Sequence, residues 1–340
     1  MQPYSDEKYI GEKPRRIATF STSTRLLLIA LACLLVVSIS ISSIVYKIID
    51  SFILLIIVYS LVRDFFIREL LTPPTIKMTT SLEDRSYELR TLLRKSYPIQ
   101  YFQKGETEGA PFAILIHGWS ASSKRMRNIA EIFSSRGFNT VVVDMRSHGT
   151  SLNIPEWTVQ QVIDDVHYLI EFIAKSNPDS KFLIYGHSLG AYVTLGLHRN
   201  LPTINGITMN FDIILESPMT SYEFVFDDIT KNVKFLRPIV KRWLSQGFQK
   251  IHPGIAITTF SQLSIPEWGF PKGKCLVIYP TEDRRLGPSH LELLQSCDVN
   301  NTIEFQEITS LTHSKSSVNI ERDEFIEQWI EGYSSSETND

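Results

Sequence analysis

The chain has 340 residues, enough for roughly two average domains or for one large domain with an anchor. Its 34 Lys and Arg against 37 Asp and Glu leave a formal charge of −3, so no general basic field exists to hold nucleic acid by counterion release. Hydrophobic residues at 43% and charged residues at 21% exclude a disordered or collagen-like chain, while Cys33, Cys275 and Cys297 are too scattered for a disulfide scaffold or a four-cysteine zinc site.

Residues 1–24 read as a polar tail without structure of its own. From Leu26 to Tyr46 no charge occurs, a run long enough to cross a hydrocarbon core of about 30 Å. A second apolar run, Ser51 to Val62, spans only if its helix starts back at Ile44. Residues 25–67 are therefore expected to form a transmembrane anchor, either one span or a tight two-span hairpin. Lys13, Arg15, Arg16 and Arg25 precede the first run and Arg63 and Arg68 follow the second, which predicts a cytoplasmic N-terminus. With two spans the C-terminal bulk lies on that same side; with one span it lies opposite. A cleaved signal peptide fits less well, because Asp6, Glu7 and Glu12 lie ahead of the apolar stretch and the second run would remain on the product.

Residues 68–97 are expected to link anchor and body, with a charged helix over Leu82–Lys95. The body, residues 98–334, alternates short and long apolar patterns. Ala113–Ile116, Thr140–Asp144, Phe182–Tyr185, Ile213–Leu215 and Cys275–Tyr279 read as buried strands, and Ile303–Ile308 as a final, more exposed one. Lys124–Arg136, Val159–Lys175 and Ala191–Arg199 read as helices between them, which predicts an α/β fold with a mostly parallel sheet covered on both faces. Between Ser217-Pro218 and Pro271, Ile229, Val233, Leu236, Val240, Trp243 and Leu244 recur at helical spacing and predict a helical cap at about residues 219–270. Pro238 should divide that helix, and its other face carries Lys231, Lys234, Arg237, Lys241 and Arg242. Such a basic face beside an anchor suits contact with anionic lipid as well as plain solvation. Residues 335–340 read as a tail.

Gly186-His187-Ser188-Leu189-Gly190 directly follows a predicted strand and precedes a predicted helix. In that setting G-x-S-x-G describes a sharp turn that lifts Ser188 above the sheet and aims helix N-terminal amides at developing negative charge. A serine nucleophile needs a histidine base supported by a carboxylate. The chain order serine, acid, histidine selects Asp283 and His313, each just beyond a predicted strand, with Glu282 and His290 as the competing acid and base. After the strand ending at Ile116, the segment His117-Gly118-Trp119 is placed to offer a backbone N–H. Trp119 and Leu189 are the expected oxyanion pair. His117, His187 and the loop Asp144–Ser151 read as supports rather than as proton carriers.

In these motifs the chain resembles the α/β-hydrolase superfamily, in its monoacylglycerol lipase-like and serine aminopeptidase-like branch. The resemblance covers about residues 98–332 and rests on His117-Gly118, Asp144-Met145-Arg146-Ser147-His148-Gly149-Thr150-Ser151, Gly186–Gly190, Thr281-Glu282-Asp283 and Thr312-His313-Ser314. It implies the α/β-hydrolase fold with a cap inserted after the sixth strand of the family sheet, and an acyl hydrolase that uses no metal and no cofactor. A serine at position 188 separates it from branches with an aspartate nucleophile, such as epoxide hydrolases and haloalkane dehalogenases. Ala191, where lipase-like relatives often carry glycine, and the bulky Trp119 depart from the pattern and narrow the acyl pocket. The expected activity is carboxylic ester cleavage on a lipid-like or other amphiphilic acyl substrate at a membrane. Aminopeptidase-type peptide cleavage, with Glu223, Asp227 or Asp228 receiving the substrate amine, and a non-catalytic ligand-binding role are the alternatives. Oligomeric state is not legible.

Overall fold

The computed structural model describes residues 16–204, 207–255, 259–313 and 318–335. Ser42 and Ser43, both extended at ψ near 160°, interrupt the long apolar run and divide it into α1 (Thr22–Ile41) and α2 (Ile44–Leu71). Ser38 Oγ donates to Asp50 Oδ2 at 2.6 Å near the turn, and the Phe20 amide donates to Asp64 Oδ1 at 2.6 Å near the other end. These pairs make the helices antiparallel and bring both ends of the hairpin to the body. The hairpin, not the single long helix, is the form adopted. Both helices are long and apolar enough to cross a membrane, and their outward faces from Leu26 to Tyr59 are largely exposed.

The stretch before α1 is not the structureless tail expected. Buried Glu156 accepts the amides of Ile17, Ala18 and Thr19 at 2.9, 2.8 and 2.6 Å, so residues 17–19 are bound to the body. The charges at Lys13 and Arg15 lie outside the described residues, as does the C-terminal tail beyond Ser335.

A second correction concerns Leu82–Lys95. Instead of a linker helix, the chain forms β1 (Glu88–Arg94), which turns at Lys95 (φ 55°) into β2 (Tyr97–Lys104). The spacing of Leu89, Leu92 and Leu93 imitates a helix. The antiparallel register with β2, from Glu88 opposite Gln103 to Arg94 opposite Tyr97, overrides it. Charges suit β1 because it is an edge strand: Arg90 pairs with Glu88 and Glu106, and Arg94 reaches Asp164 and Asp165. The sheet thus begins ten residues ahead of the expected domain boundary at residue 98.

Six further strands complete the main sheet. They are β3 (Phe112–Ile116), β4 (Asn139–Asp144), β5 (Phe182–His187), β8 (Asp212–Glu216), β9 (Cys275–Pro280) and β10 (Ile303–Ile308). A separate short hairpin holds β6 (Thr203–Ile204) and β7 (Ile207–Thr208). The eight-stranded order is β1-β2-β4-β3-β5-β8-β9-β10, parallel from β4 onward. Alternate residues feed two cores: Ile114, Ile116, Val141 and Val143 join one, Ala113, Leu115 and Val142 the other. The first face is covered by α4 (Val159–Ser176), α5 (Leu189–Leu197) and α8 (Ser289–Cys297), the second by α3 (Arg127–Ser135) and α9 (Ile320–Ser335).

The cap follows β8. It comprises α6 (Tyr222–Ile229), a tight turn over Lys231–Leu236, and α7 (Arg237–Ile251), with Pro238 in the first turn of α7, where its missing N–H costs nothing. The break therefore falls where the proline predicts. The basic face is partly neutralised: Lys231 pairs with Asp228, Arg237 with Asp227, and Lys241 with Glu223. The apolar stripe meets the hairpin as well as the body. Trp243 donates to the Tyr59 hydroxyl at 2.9 Å, and Ile67 and Leu71 of α2 join the main core.

Candidate active site

The parallel strands end in loops along one edge, and four of these loops, after β3, β5, β9 and β10, supply the candidate groups. Ser188 follows β5 at φ 55° and ψ −113°, a strained conformation for a residue with a Cβ. The surroundings enforce the strain. A Cβ on Gly186 would lie 2.6 Å from the Gly190 carbonyl and from Thr194 Oγ1, and one on Gly190 would overlap the Ile116 carbonyl. Only glycine lets the strand and α5 approach this closely, which leaves Ser188 projecting at the N-terminus of α5.

His313 Nε2 lies 2.9 Å from Ser188 Oγ, and His313 Nδ1 lies 2.7 Å from Asp283 Oδ2. The three residues selected by chain order thus form one hydrogen-bonded chain. Asp283 Oδ1 accepts the amides of Arg285 and Leu286 at 2.9 and 2.8 Å. Partial burial pushes its carboxyl up, but the hydrogen bonds from His313 and those two amides outweigh it and leave the pKa below the ordinary carboxylate value. The carboxylate stays ionised and fixes the Nδ1–H tautomer of His313. The competing residues go elsewhere: exposed Glu282 pairs with Arg284, and buried His290 in α8 accepts the Thr220 amide through Nδ1 at 2.9 Å. Ser314, adjacent to His313, lies outside the described residues.

On the other side of Ser188, Gly118 packs so tightly that an added Cβ would stand 3.2 Å from Ser188 Cβ and 2.9 Å from His187 Nδ1. His117 Nε2 accepts the Met145 amide at 3.1 Å, so its Nδ1 carries the proton and donates to the Gly118 carbonyl at 2.8 Å. In a trans peptide the C=O and the next N–H point in opposite directions. Holding the Gly118 carbonyl on His117 therefore sets the direction of the Trp119 N–H. The Leu189 N–H, first in α5, is the second expected donor. The Trp119 ring packs edge-on to Trp157 at 4.8 Å and against His148 at 5.5 Å. Burial lowers His117 to about 4 and His148 to about 3, so both rings are neutral near pH 7.

His187 Nε2 donates to the His313 carbonyl at 3.1 Å and steadies the loop that carries the candidate base. Asp144 accepts the Ser123 amide at 2.7 Å and the Thr150 amide at 3.1 Å, the supporting role expected of its loop. Sequence reasoning missed a buried network below the elbow, in which Tyr185 and Arg322 both donate to Glu216. No periodicity marks it, because each member comes from a different element. No group of three or more His, Cys, Asp or Glu side chains arranged to hold a metal ion occurs among the described residues.

A family model described as serine aminopeptidase, S33, matches residues 110–277. Protein phosphatase methylesterase 1 of Candida albicans is 23% identical over 107 residues, 31% of this chain and 29% of its own length, so the chain matches less than a third of that relative. Among solved structures, the Pyrococcus furiosus esterase Pf2001 superposes with a TM-score of 0.54 at 14% identity, covering 78% of this chain and 96% of its own. Mouse alpha/beta hydrolase domain-containing protein 10 does so with a TM-score of 0.52 at 13% identity, covering 73% and 99%. At such identity these two establish the fold. The family match, which runs from the strand before the Gly118 loop to the strand before Asp283, agrees with that fold, the α/β-hydrolase fold.

Proposed function

We propose that the protein is a membrane-anchored serine hydrolase that cleaves carboxylic esters of lipid-like or other amphiphilic acyl substrates. The observation that carries this reading is the hydrogen-bonded chain from Ser188 Oγ through His313 to Asp283. Ser188 Oγ attacks the ester carbonyl while His313 Nε2 takes its proton, and Asp283 stabilises the imidazolium. The Trp119 and Leu189 amides receive the oxyanion. Collapse of the tetrahedral adduct breaks the C–O bond, with the His313 proton passing to the departing alcohol. Water, deprotonated by His313, then attacks the acyl-Ser188 carbonyl; collapse breaks the acyl C–Oγ bond, the His313 proton returns to Ser188 Oγ, and the carboxylic acid leaves.

Two features favour an ester over a peptide amine. Glu223, Asp227 and Asp228, the carboxylates available to receive an amine, are engaged by Lys241, Arg237 and Lys231. The names methylesterase and esterase among the relatives lean the same way.

In the membrane reading α1 and α2 insert as a hairpin, with both termini on one side. Trp243 meets Tyr59 while Gly247 meets Leu71, so α7 runs alongside α2 with its start toward the inserted end. Lys234, Phe235 (78% exposed), Ile239 and Arg242 lie near that start and would face the lipid surface.

Fluorophosphonate labelling of the full chain in detergent tests the chemistry. Wild type should label, and Ser188→Ala and His313→Ala should not. A folded wild type that fails to label would overturn the reading in favour of a ligand-binding pseudo-hydrolase.

A further inference from the structure

We infer that residues 77–82, the segment leading from the anchor to the sheet, form a positioning element of the candidate site: the Met78 backbone fixes the loop that carries the Trp119 N–H. The inference rests on the hydrolase reading above and adds to it what holds the expected oxyanion donor in place. Ser120, next to Trp119, has φ 59°, a left-handed conformation that a residue with a Cβ keeps only where its surroundings impose it. Its amide donates to His148 Nε2 at 3.2 Å, and its carbonyl accepts the Met78 amide at 2.9 Å. His148 Nδ1 in turn donates to the Arg146 carbonyl at 2.8 Å, which fixes the tautomer with Nε2 as acceptor. The bond from His117 to the Gly118 carbonyl thus sets the peptide on one side of Trp119, and the bonds to Ser120 set the chain on the other.

Met78 bonds on its other side as well. Its carbonyl accepts the Gly149 amide at 3.2 Å, so the segment lies between the loop after β3 and the loop after β4 and is bonded to both. Side chains continue the pattern. Ser122 Oγ donates to the Thr80 carbonyl at 2.5 Å, and the Leu82 amide donates to Ser123 Oγ at 3.0 Å. Ser81 Oγ donates to Asp144 Oδ2 and accepts the Thr150 amide at 2.8 Å, while Lys77 Nζ donates to the Ser147 carbonyl and to Asn153 Oδ1. Ser81, Ser122 and Ser123 are buried, where a lost partner leaves a polar group unpaired. A plain connector runs over the surface with its backbone solvated; this one commits its polar groups to the two loops beside Ser188. At its other end it is continuous with the hairpin, for Leu71, the last residue of α2, accepts the Trp157 amide through its carbonyl at 2.9 Å. The exit of the anchor and the loop of the expected oxyanion donor are one hydrogen-bonded unit.

The test uses the full chain in detergent. Met78→Pro removes the amide that holds the Ser120 carbonyl. Deleting an oxyanion donor costs about 10²–10³ in rate and displacing one costs part of that, so kcat for p-nitrophenyl butyrate should fall about tenfold or more with KM little changed. Met78→Ala keeps the amide and should recover most of the loss. Ser122→Ala, which leaves the backbone intact and decides the matter if Met78→Pro does not fold, should lower kcat by about threefold. Affinity for an alkyl trifluoromethyl ketone, whose adduct on Ser188 carries a full oxyanion, should fall in step with kcat. Equal kcat in Met78→Pro and Met78→Ala, or lost stability with kcat unchanged in Ser122→Ala, would overturn the inference, while fluorophosphonate labelling of Ser188 would still uphold the hydrolase reading. A second arm stands apart from the chemistry: hydrogen exchange at Ser120 and Ala121 should accelerate by about tenfold in Met78→Pro and by less in Ser122→Ala, and not in Met78→Ala. Unchanged exchange there would sink the positioning role even if the enzyme proved active.

Discussion

Glu156→Ala should unlatch the hairpin from the body without unfolding the body. The carboxylate is 96% buried (4% exposed) and accepts three consecutive amides at 2.6–2.9 Å, with Thr19 Oγ1 adding a fourth bond at 2.9 Å. A hydrogen bond to a charged group contributes about 1.5–3 kcal/mol, and bonds sharing one carboxylate are not additive, so roughly 3 kcal/mol is a conservative loss for the set. That is on the order of a hundredfold in the equilibrium between latched and free segments. Hydrogen exchange of a peptide covering residues 16–25, in detergent at a pH where amide chemistry is unchanged, reads this equilibrium directly. Exchange at Ile17, Ala18 and Thr19 should accelerate by about that factor in Glu156→Ala, and by less in Glu156→Gln, which keeps an acceptor oxygen. Peptides from β3 and β5 serve as the control and should not change. Unaltered exchange at residues 17–19 in a stable Glu156→Ala protein would refute the argument, because some other group would then be protecting those amides.

Removing the His117 imidazole should let the Gly118–Trp119 peptide turn, so His117→Ala should lower kcat by about 10²-fold with KM little changed, and His117→Asn, with an amide N–H near the Nδ1 position, should recover part. Equal losses in kcat and stability would mark His117 as structural only. Burial depresses His117, His252 and His290 to about 4 and His148 and His198 to about 3, from an ordinary 6.5. Below pH 6.5 the unfolded chain binds protons that the fold does not, so stability should fall with pH by about 1 kcal/mol per buried histidine per unit until the folded values are reached. Urea midpoints between pH 7.5 and 5 check this, and a flat profile would contradict it. Tags on the two termini of vesicle-inserted protein should show the same protease accessibility; opposite accessibility would eliminate the inserted hairpin. Turnover of a vesicle-borne ester should rise with anionic lipid, and Lys234→Glu with Arg242→Glu should remove that rise; an unchanged lipid dependence would show that the cap start does not face lipid.

The strands β3, β4, β5, β8, β9 and β10 of the main sheet were legible because buried parallel strands read as short apolar runs, and the elbow because its glycines sit between a strand and a helix. Ser188, Asp283 and His313 could be selected from chain order and brought together as expected, although order alone could not distinguish Asp283 from Glu282. The structure hydrogen-bonds Asp283 to His313 and leaves Glu282 exposed with Arg284, a difference of position that no spacing encodes. The edge hairpin β1–β2 was misread as helix because an edge strand tolerates charges and its leucines happen to fall three apart. Glu156 and Trp157 had no legible role, because their partners at Ile17–Thr19 and Leu71 are distant in sequence and are met only after folding.

That sequence distance governs the order in which the molecule can be assembled. The contacts joining hairpin and body span 137 to 139 residues at Glu156 and 184 residues at Trp243. A chain made from its N-terminus has both apolar helices formed long before α7 exists to cover Tyr59, Ile67 and Leu71. During that interval these side chains need another apolar environment, which a bilayer would supply to the hairpin inserted as proposed. Packing of α7 onto α2 is therefore a late step, and Ile67 and Leu71 join the core only in a chain that has made the cap.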